Sequence, residues 1–191
     1  MLIHRSNIIP DVLVLEPQIF SDERGRFLET HRIRDVMEEA GHPIEFVQSN
    51  LSYSLPGVLR GLHFQTKNPQ GKLMRCISGR IQQVCVDLRE GSPYFAKHVA
   101  TLLDDITCKA VWCPPGFANG FLVPANGPGA AVYYECSSVY VDEWSGAVKW
   151  DDSDIGIKWM TMGRNPILSN KDRRAPSLRS VEPIRLGGSD V

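Results

Sequence analysis

Val84-Cys85-Val86-Asp87-Leu88-Arg89 decides the fold class. Val84, Val86 and Leu88 point one way while Cys85, Asp87 and Arg89 point the other, the two-residue period of a strand. Glycine brackets the stretch at Gly79 and Gly91, and the same punctuation recurs along the chain at Gly25, Pro56-Gly57, Gly71, Pro114-Pro115-Gly116, Gly127-Pro128-Gly129 and Gly146. Short β-branched or alternating runs lie between these breaks, a spacing that favours a sandwich or barrel over βαβ units. Val132, Tyr134, Cys136, Ser138 and Tyr140 share one face of a further candidate strand. One segment departs from the pattern: Ile33, Val36, Met37 and Ala40 follow helical spacing and Gly41 supplies the stop. After Trp150 the chain is polar and rich in turns. It is expected to wrap the outside of the barrel, with Leu186–Val191 frayed. The expectation is one all-β domain over 1–191, a jelly roll with minor helices.

Composition narrows the function. The 191 residues carry 21 Lys plus Arg against 22 Asp plus Glu, a net charge of -1. No bulk positive field exists to hold a polyanion, so nucleic acid is not an expected partner. No apolar run reaches the roughly 20 residues that span a bilayer, and polar residues interrupt the first twenty positions, so neither a membrane partner nor a secretory signal is expected. The five cysteines are odd in number and lack CxxC spacing, which reads as reduced core thiols in a cytoplasmic protein.

A small barrel holds its ligand inside, so inward polar residues are the candidates for chemistry. His4, His31 and His42 read as solvent-exposed residues and His98 as outward-facing. His63 interrupts the apolar run Val58-Leu59-Arg60-Gly61-Leu62-His63-Phe64-Gln65. Taken alone it reads equally well as a satisfied core histidine or as an acid–base group. Strict alternation puts Arg60 and His63 on opposite faces, and a bulge at Gly61 would turn both toward one cavity. Lys72 shares strand parity with Met74 and Cys76, against the default of a solvated strand-edge lysine. Tyr134 shares a face with Val132 and Cys136, where a phenol needs a partner and is usually structural. A metal-binding jelly roll needs two closely spaced histidines, a carboxylate and a later histidine. Only His63 is offered, and Asn119 occupies the later position, so no metal and no cofactor are expected.

Ordered blocks then carry a resemblance: Ser21-Asp22-Glu23-Arg24-Gly25-Arg26-Phe27-Leu28-Glu29, Phe46-Val47-Gln48-Ser49-Asn50, Val58–Gln65, Gln70-Gly71-Lys72-Leu73, Pro115-Gly116-Phe117-Ala118, Trp150-Asp151-Asp152 and Leu168-Ser169-Asn170-Lys171-Asp172. From about Ile9 to Pro176, with 177–191 as a tail, the chain resembles the dTDP-4-dehydrorhamnose 3,5-epimerase family of nucleotide-sugar epimerases. The resemblance implies a cupin-like jelly roll and a cytoplasmic homodimer that exchanges N-terminal strands. It also implies metal-free epimerisation of a dTDP-4-keto-6-deoxyhexose at C3, C5 or both, serving deoxysugar and surface-polysaccharide (lipopolysaccharide O-antigen) synthesis. By the same resemblance His63 is the base, oriented by Asp172; Lys72 holds the enolate charge, and Tyr134 returns a proton on the opposite face. Arg60 and Arg173 contact the diphosphate, with Arg24 reaching it from the partner subunit, while Phe27, Glu29, Gln48, Asn50 and Tyr140 hold the nucleoside.

Three positions depart from the family pattern. Asn119 stands where histidine is usual, close to substrate, Val139 replaces a tyrosine, and Glu135 replaces a basic residue. These departures fit a relative that acts at one carbon or on another nucleotide-linked 4-keto sugar. A non-catalytic carbohydrate-binding cupin is the competing class, and a metal-dependent cupin dioxygenase lacks its ligands.

Overall fold

The computed structural model describes residues 1–187. Thirteen strands run β1 (Leu2–Arg5), β2 (Leu13–Glu16), β3 (Ile19–Asp22), β4 (Gly25–Leu28), β5 (Gln48–Ser54), β6 (Leu59–Gln65), β7 (Lys72–Ser78), β8 (Arg80–Asp87), β9 (His98–Asp104), β10 (Ala110–Cys113), β11 (Phe117–Leu122), β12 (Ala130–Cys136) and β13 (Ser145–Ala147). Helix α1 (Ile33–Ala40) precedes β5, and the one-turn α2 (Asn170–Arg173) follows β13. Two antiparallel sheets face each other, in strand orders β1-β2-β10-β7-β12-β5 and β13-β6-β11-β8-β9. Non-sequential neighbours in both sheets, with side chains packed between them, make a cupin-like jelly roll. Strands β3 and β4 form a separate hairpin that pairs with neither sheet.

The interior follows from alternation. Met74, Cys76, Val111, Cys113 and Val132 of the first sheet pack against Ile81, Cys85, Val99, Leu103, Phe117 and Phe121 of the second. Val84, Val86 and Leu88 do face the other way from Cys85, as expected, yet they too are buried. The chain after Trp150 covers them, laying Ile155, Leu178 and Ile184 on the outer face of the second sheet. Leu186 packs on the same cluster, so it is docked and not frayed; the rest of the expected frayed tail, 188–191, lies outside the described residues. On the outer face of the first sheet, Val36 of α1 and Ile44 meet Leu13, Leu15, Leu73, Ala110 and Trp112. Helix α1 ends as anticipated, with Gly41 at φ 82° donating its N–H to the Met37 carbonyl.

Two further expectations are corrected, and a third is refined. The strand expected to continue through Ser138 and Tyr140 ends at Cys136. Side-chain amides replace the ladder there: Gln70 donates to the Ser138 carbonyl, while Gln65 donates to the Val139 carbonyl and accepts from Val141 N–H. His31 is not solvent-exposed, because its ring packs edge-on to Phe46 between Arg75 and Glu135. His98 points away from the barrel but is half covered by the C-terminal segment at Ile155. All five cysteines are free, and Cys108 alone sits outside the buried set.

The outer wrap adds apolar burial that the second sheet would otherwise leave wet. Ile184→Ala, at a site 3% exposed, is expected to lower unfolding stability by about 2–4 kcal/mol. A urea titration of the two proteins checks this.

Candidate active site

Arg60 and His63 do face one cavity, and the reason is a bulge. Asn119 pairs with His63 and Phe121 pairs with Arg60, so β6 takes three steps where β11 takes two. The extra residue rotates one side chain into phase with the other. Gly61, at φ 120°, permits this, since a Cβ there would lie 2.6 Å from the Gly120 Cα.

His63 Nε2 lies 2.6 Å from Asp172 Oδ1. A carboxylate accepts, so Nε2 carries the proton and Nδ1 is the basic nitrogen of the ring. Asp172 is 3% exposed and sits on α2, whose N-cap Ser169 accepts its backbone N–H through Oγ at 3.1 Å. Burial pushes the Asp172 carboxyl up, but hydrogen bonds from His63, Ser169 and the Gly61 N–H outweigh it and hold the group below its ordinary value.

Lys72 and Tyr134 come from the facing sheet, on the inward faces of β7 and β12. The Lys72 ammonium stands 5.9 Å from the centre of the Tyr134 ring. Among the described residues no carboxylate pairs with it. Burial pushes its pKa down, opposed by the thiols of Cys136, Cys113 and Cys85 around it. Burial likewise pushes the Tyr134 phenol up. A cation without a counter-ion in a largely enclosed site is a prepared place for oxyanion charge.

The cavity has two lobes that share His63, Lys72, Tyr134 and Lys171. The first, about 390 Å³, adds Arg60, Asn119, Phe121, Ser169 and Asp172. The second, about 320 Å³, adds Gln48, Asn50, Gln65, Gln70 and Tyr140. Gln48 donates to Asn50 and accepts the Tyr140 N–H, which fixes these three residues as one wall. Among the described residues no group of three His, Cys, Asp or Glu side chains converges to hold a metal.

Other expected site residues are placed elsewhere within one chain. Arg24 and Phe27 lie on the β3–β4 hairpin around a separate concavity, with Phe27 71% exposed. Glu29 follows the hairpin and pairs with Arg32. Arg173 is exposed, donates to the Leu168 carbonyl and lines neither lobe. Lys171 lines both lobes instead, its Nζ donating to Ser145 Oγ at 2.8 Å. Sequence reasoning passed over it; its place beside Asp172 in a one-turn helix was the available signal.

A jelly roll whose pocket combines an oriented imidazole, a phenol and an unpaired ammonium belongs to the acid–base class of cupin-like proteins. The dTDP-4-dehydrorhamnose 3,5-epimerase family profile matches residues 6–180. The Pseudomonas aeruginosa dTDP-4-dehydrorhamnose 3,5-epimerase is 40% identical over 174 residues, covering 91% of this chain and 94% of its own. A Legionella pneumophila dTDP-6-deoxy-D-glucose-3,5-epimerase, solved in complex with dTDP-4-keto-L-rhamnose, superposes with a TM-score of 0.91 at 35% identity, covering 98% of this chain and 99% of that one. A 3'-monoepimerase from Streptomyces bikiniensis, solved with dTDP-quinovose, gives a TM-score of 0.84 at 33% identity, covering 93% and 88%. The chain belongs to the dTDP-4-dehydrorhamnose 3,5-epimerase family.

The depressed Asp172 pKa has a sign. A carboxyl whose folded value lies below its ordinary 3.8 stabilises the fold above that value. That contribution fades as pH falls through the folded value. Asp172→Asn is expected to flatten the acid limb of stability, read as urea midpoints between about pH 5 and about pH 2.

Proposed function

We propose that the protein is an isomerase that inverts carbon stereocentres beside the C4 ketone of a dTDP-4-keto-6-deoxyhexose, as a dTDP-4-dehydrorhamnose 3,5-epimerase does. The observation that carries this reading is that His63 and Tyr134 enter one cavity from opposing sheets, with Lys72 beside the phenol. Inversion requires removal of a proton on one face of a carbon and delivery on the other. A single base acting alone returns the proton to the side it came from.

In the proposed cycle His63 Nδ1 takes the proton beside the ketone. Asp172 holds the imidazolium that forms, as in other His–Asp pairs. The electron pair moves onto the C4 oxygen, where the Lys72 ammonium balances it. Tyr134 then donates its phenolic proton to the opposite face, and solvent restores both groups. A phenol whose pKa burial has raised remains protonated at neutral pH, the state a donor needs. Arg60 of the first lobe and Lys171, which lines both, suit the diphosphate, and the Gln48–Asn50–Tyr140 wall suits the nucleoside.

The hairpin supports a homodimeric reading. Strands β3 and β4 stand clear of both sheets and expose Phe20 and Phe27, while Leu51, Tyr53 and Ile77 are exposed on the outer face of the first sheet. Exchange of N-terminal strands between two copies covers these surfaces and brings Arg24, Phe27 and Glu29 to the partner's second lobe. The cellular setting that fits is cytoplasmic synthesis of activated deoxysugars for surface polysaccharide. No helix among the described residues is long and apolar enough to cross a membrane.

Asn119 favours a second reading. It lines the first lobe at 6% exposure, where an amide cannot titrate as the family's usual histidine can, which suits action at C3 alone.

Incubation in deuterium oxide with a dTDP-4-keto-6-deoxyhexose is the test. Label at C3 and C5 is expected of double inversion and label at C3 alone of the second reading; absence of label from dTDP-, CDP- and GDP-linked substrates rejects both. His63→Ala and Tyr134→Phe are expected to cut turnover by about 10²–10⁴ while nucleotide affinity is retained. Lys72→Met is expected to cost about 10²–10³ in kcat, measured by the same exchange.

A further inference from the structure

Behind the strand that carries Tyr134 lies a polar cluster that the proposed reaction does not use. His31, in the segment joining the hairpin to α1, inserts its ring between Arg75 of β7 and Glu135 of β12. Arg75 Nη2 is 3.0 Å from His31 Nδ1, and His31 Nε2 is 3.5 Å from Glu135 Oε2. The side chains of His31 and Glu135 are only 16% and 19% exposed, and Arg75 as a whole is 6% exposed.

The chemistry of the three groups fixes their arrangement. A guanidinium only donates, so Nδ1 accepts and the neutral ring keeps its proton on Nε2, aimed at the carboxylate. The imidazole thus relays between a cation and an anion on adjacent strands, and it does so only while neutral. Protonation puts a second N–H on Nδ1, facing the Arg75 donor, and breaks that bond. Arg75 Nη1 and Glu135 Oε2 are buried and have no hydrogen-bond partner, so losing the ring takes the acceptor from Arg75 Nη2 in a cluster already short of partners.

We propose that His31 is a positioning residue: as a neutral bridge between Arg75 and Glu135 it latches the segment after β4 to the back of the catalytic strand, and so fixes hairpin β3–β4 where the nucleoside end of the substrate needs it. This rests on the reading of the hairpin as part of the nucleotide site. The groups facing the ring are Glu135 from β12, Arg75 from β7, the preceding Thr30 hydroxyl and the uncharged Phe46 ring. Burial pushes the His31 pKa below 6.5, with Glu135 opposing and Arg75 assisting, so the latch is closed at neutral pH and opens on acidification.

The test compares KM and kcat for the dTDP-4-keto sugar in the full-length protein, with thermal unfolding as the folding control. His31→Leu is expected to raise KM roughly tenfold with kcat within about twofold. Gln accepts through Oε1 and donates through Nε2 without titrating, so His31→Gln is expected to keep the wild-type KM at about pH 8. It is also expected to lose the rise in KM that the wild type shows at about pH 5. An unchanged KM in a folded His31→Leu protein, or the same acid rise in His31→Gln, overturns the latch; if His31→Leu does not fold, the His31→Gln profile decides alone. Phe27→Ala separates the two claims. A raised KM there beside an unchanged His31→Leu leaves the hairpin's role standing and removes the latch, whereas an unchanged KM in Phe27→Ala removes both.

Discussion

The 2.6 Å hydrogen bond between His63 and Asp172 joins residues 109 apart in sequence and ties the barrel to its wrapping. Asp172 reaches the imidazole only because the chain after Trp150 travels along the outer face of the second sheet, held by Ile155, Leu178 and Ile184. The hydrophobic cover and the acid–base pair are therefore one construction. The apolar face of β8 anchors the C-terminal segment, and the segment delivers the carboxylate, its Ser169 cap and Lys171 to the cavity rim. Burial alone would raise the pKa of that carboxyl. The hydrogen bonds donated by His63, Ser169 and Gly61 hold its pKa below the ordinary value, and the carboxylate in turn fixes the imidazole proton on Nε2, the nitrogen that faces it.

The opposite sheet solves a different electrostatic problem. Lys72 is enclosed by thiols and an aromatic ring, and no acidic side chain among the described residues neutralises it. An unpaired ammonium in such a place is costly in the empty protein. That arrangement suits the proposed role of Lys72, since charge developing on a ligand oxygen would find a partner without displacing one. With Asp172 on one sheet's side and Lys72 on the other, the pocket keeps this carboxylate and this ammonium apart.

Much of this was legible in the sequence, for identifiable reasons. Alternation at Val84–Leu88 gave the strand and its facing, although it could not say that the outward side would be covered by Ile184 and its neighbours. Gly61 between Arg60 and His63 announced the bulge, because few residues other than glycine tolerate that backbone against Gly120. The end of β12 was not legible: it depends on Gln65 and Gln70, whose amides arrive from distant positions to capture the backbone after Cys136. His31 was misread for a similar reason, since Arg75 and Glu135 become its neighbours only when β7 and β12 pair. Motif resemblance identified His63, Lys72, Tyr134 and Asp172 as a set, and the fold brings them to one cavity; Arg24 and Phe27 stay outside it within a single chain.

The bulge in β6 also constrains how the gene can change. Side chains along a strand alternate in twos, so inserting or deleting one codon between Arg60 and His63 would turn the imidazole to the other side of the sheet while leaving composition nearly intact. The chain can drift in the identity of many barrel residues and keep its shape. The spacing of this short run is held by geometry, which makes length, more than chemistry, its heritable feature.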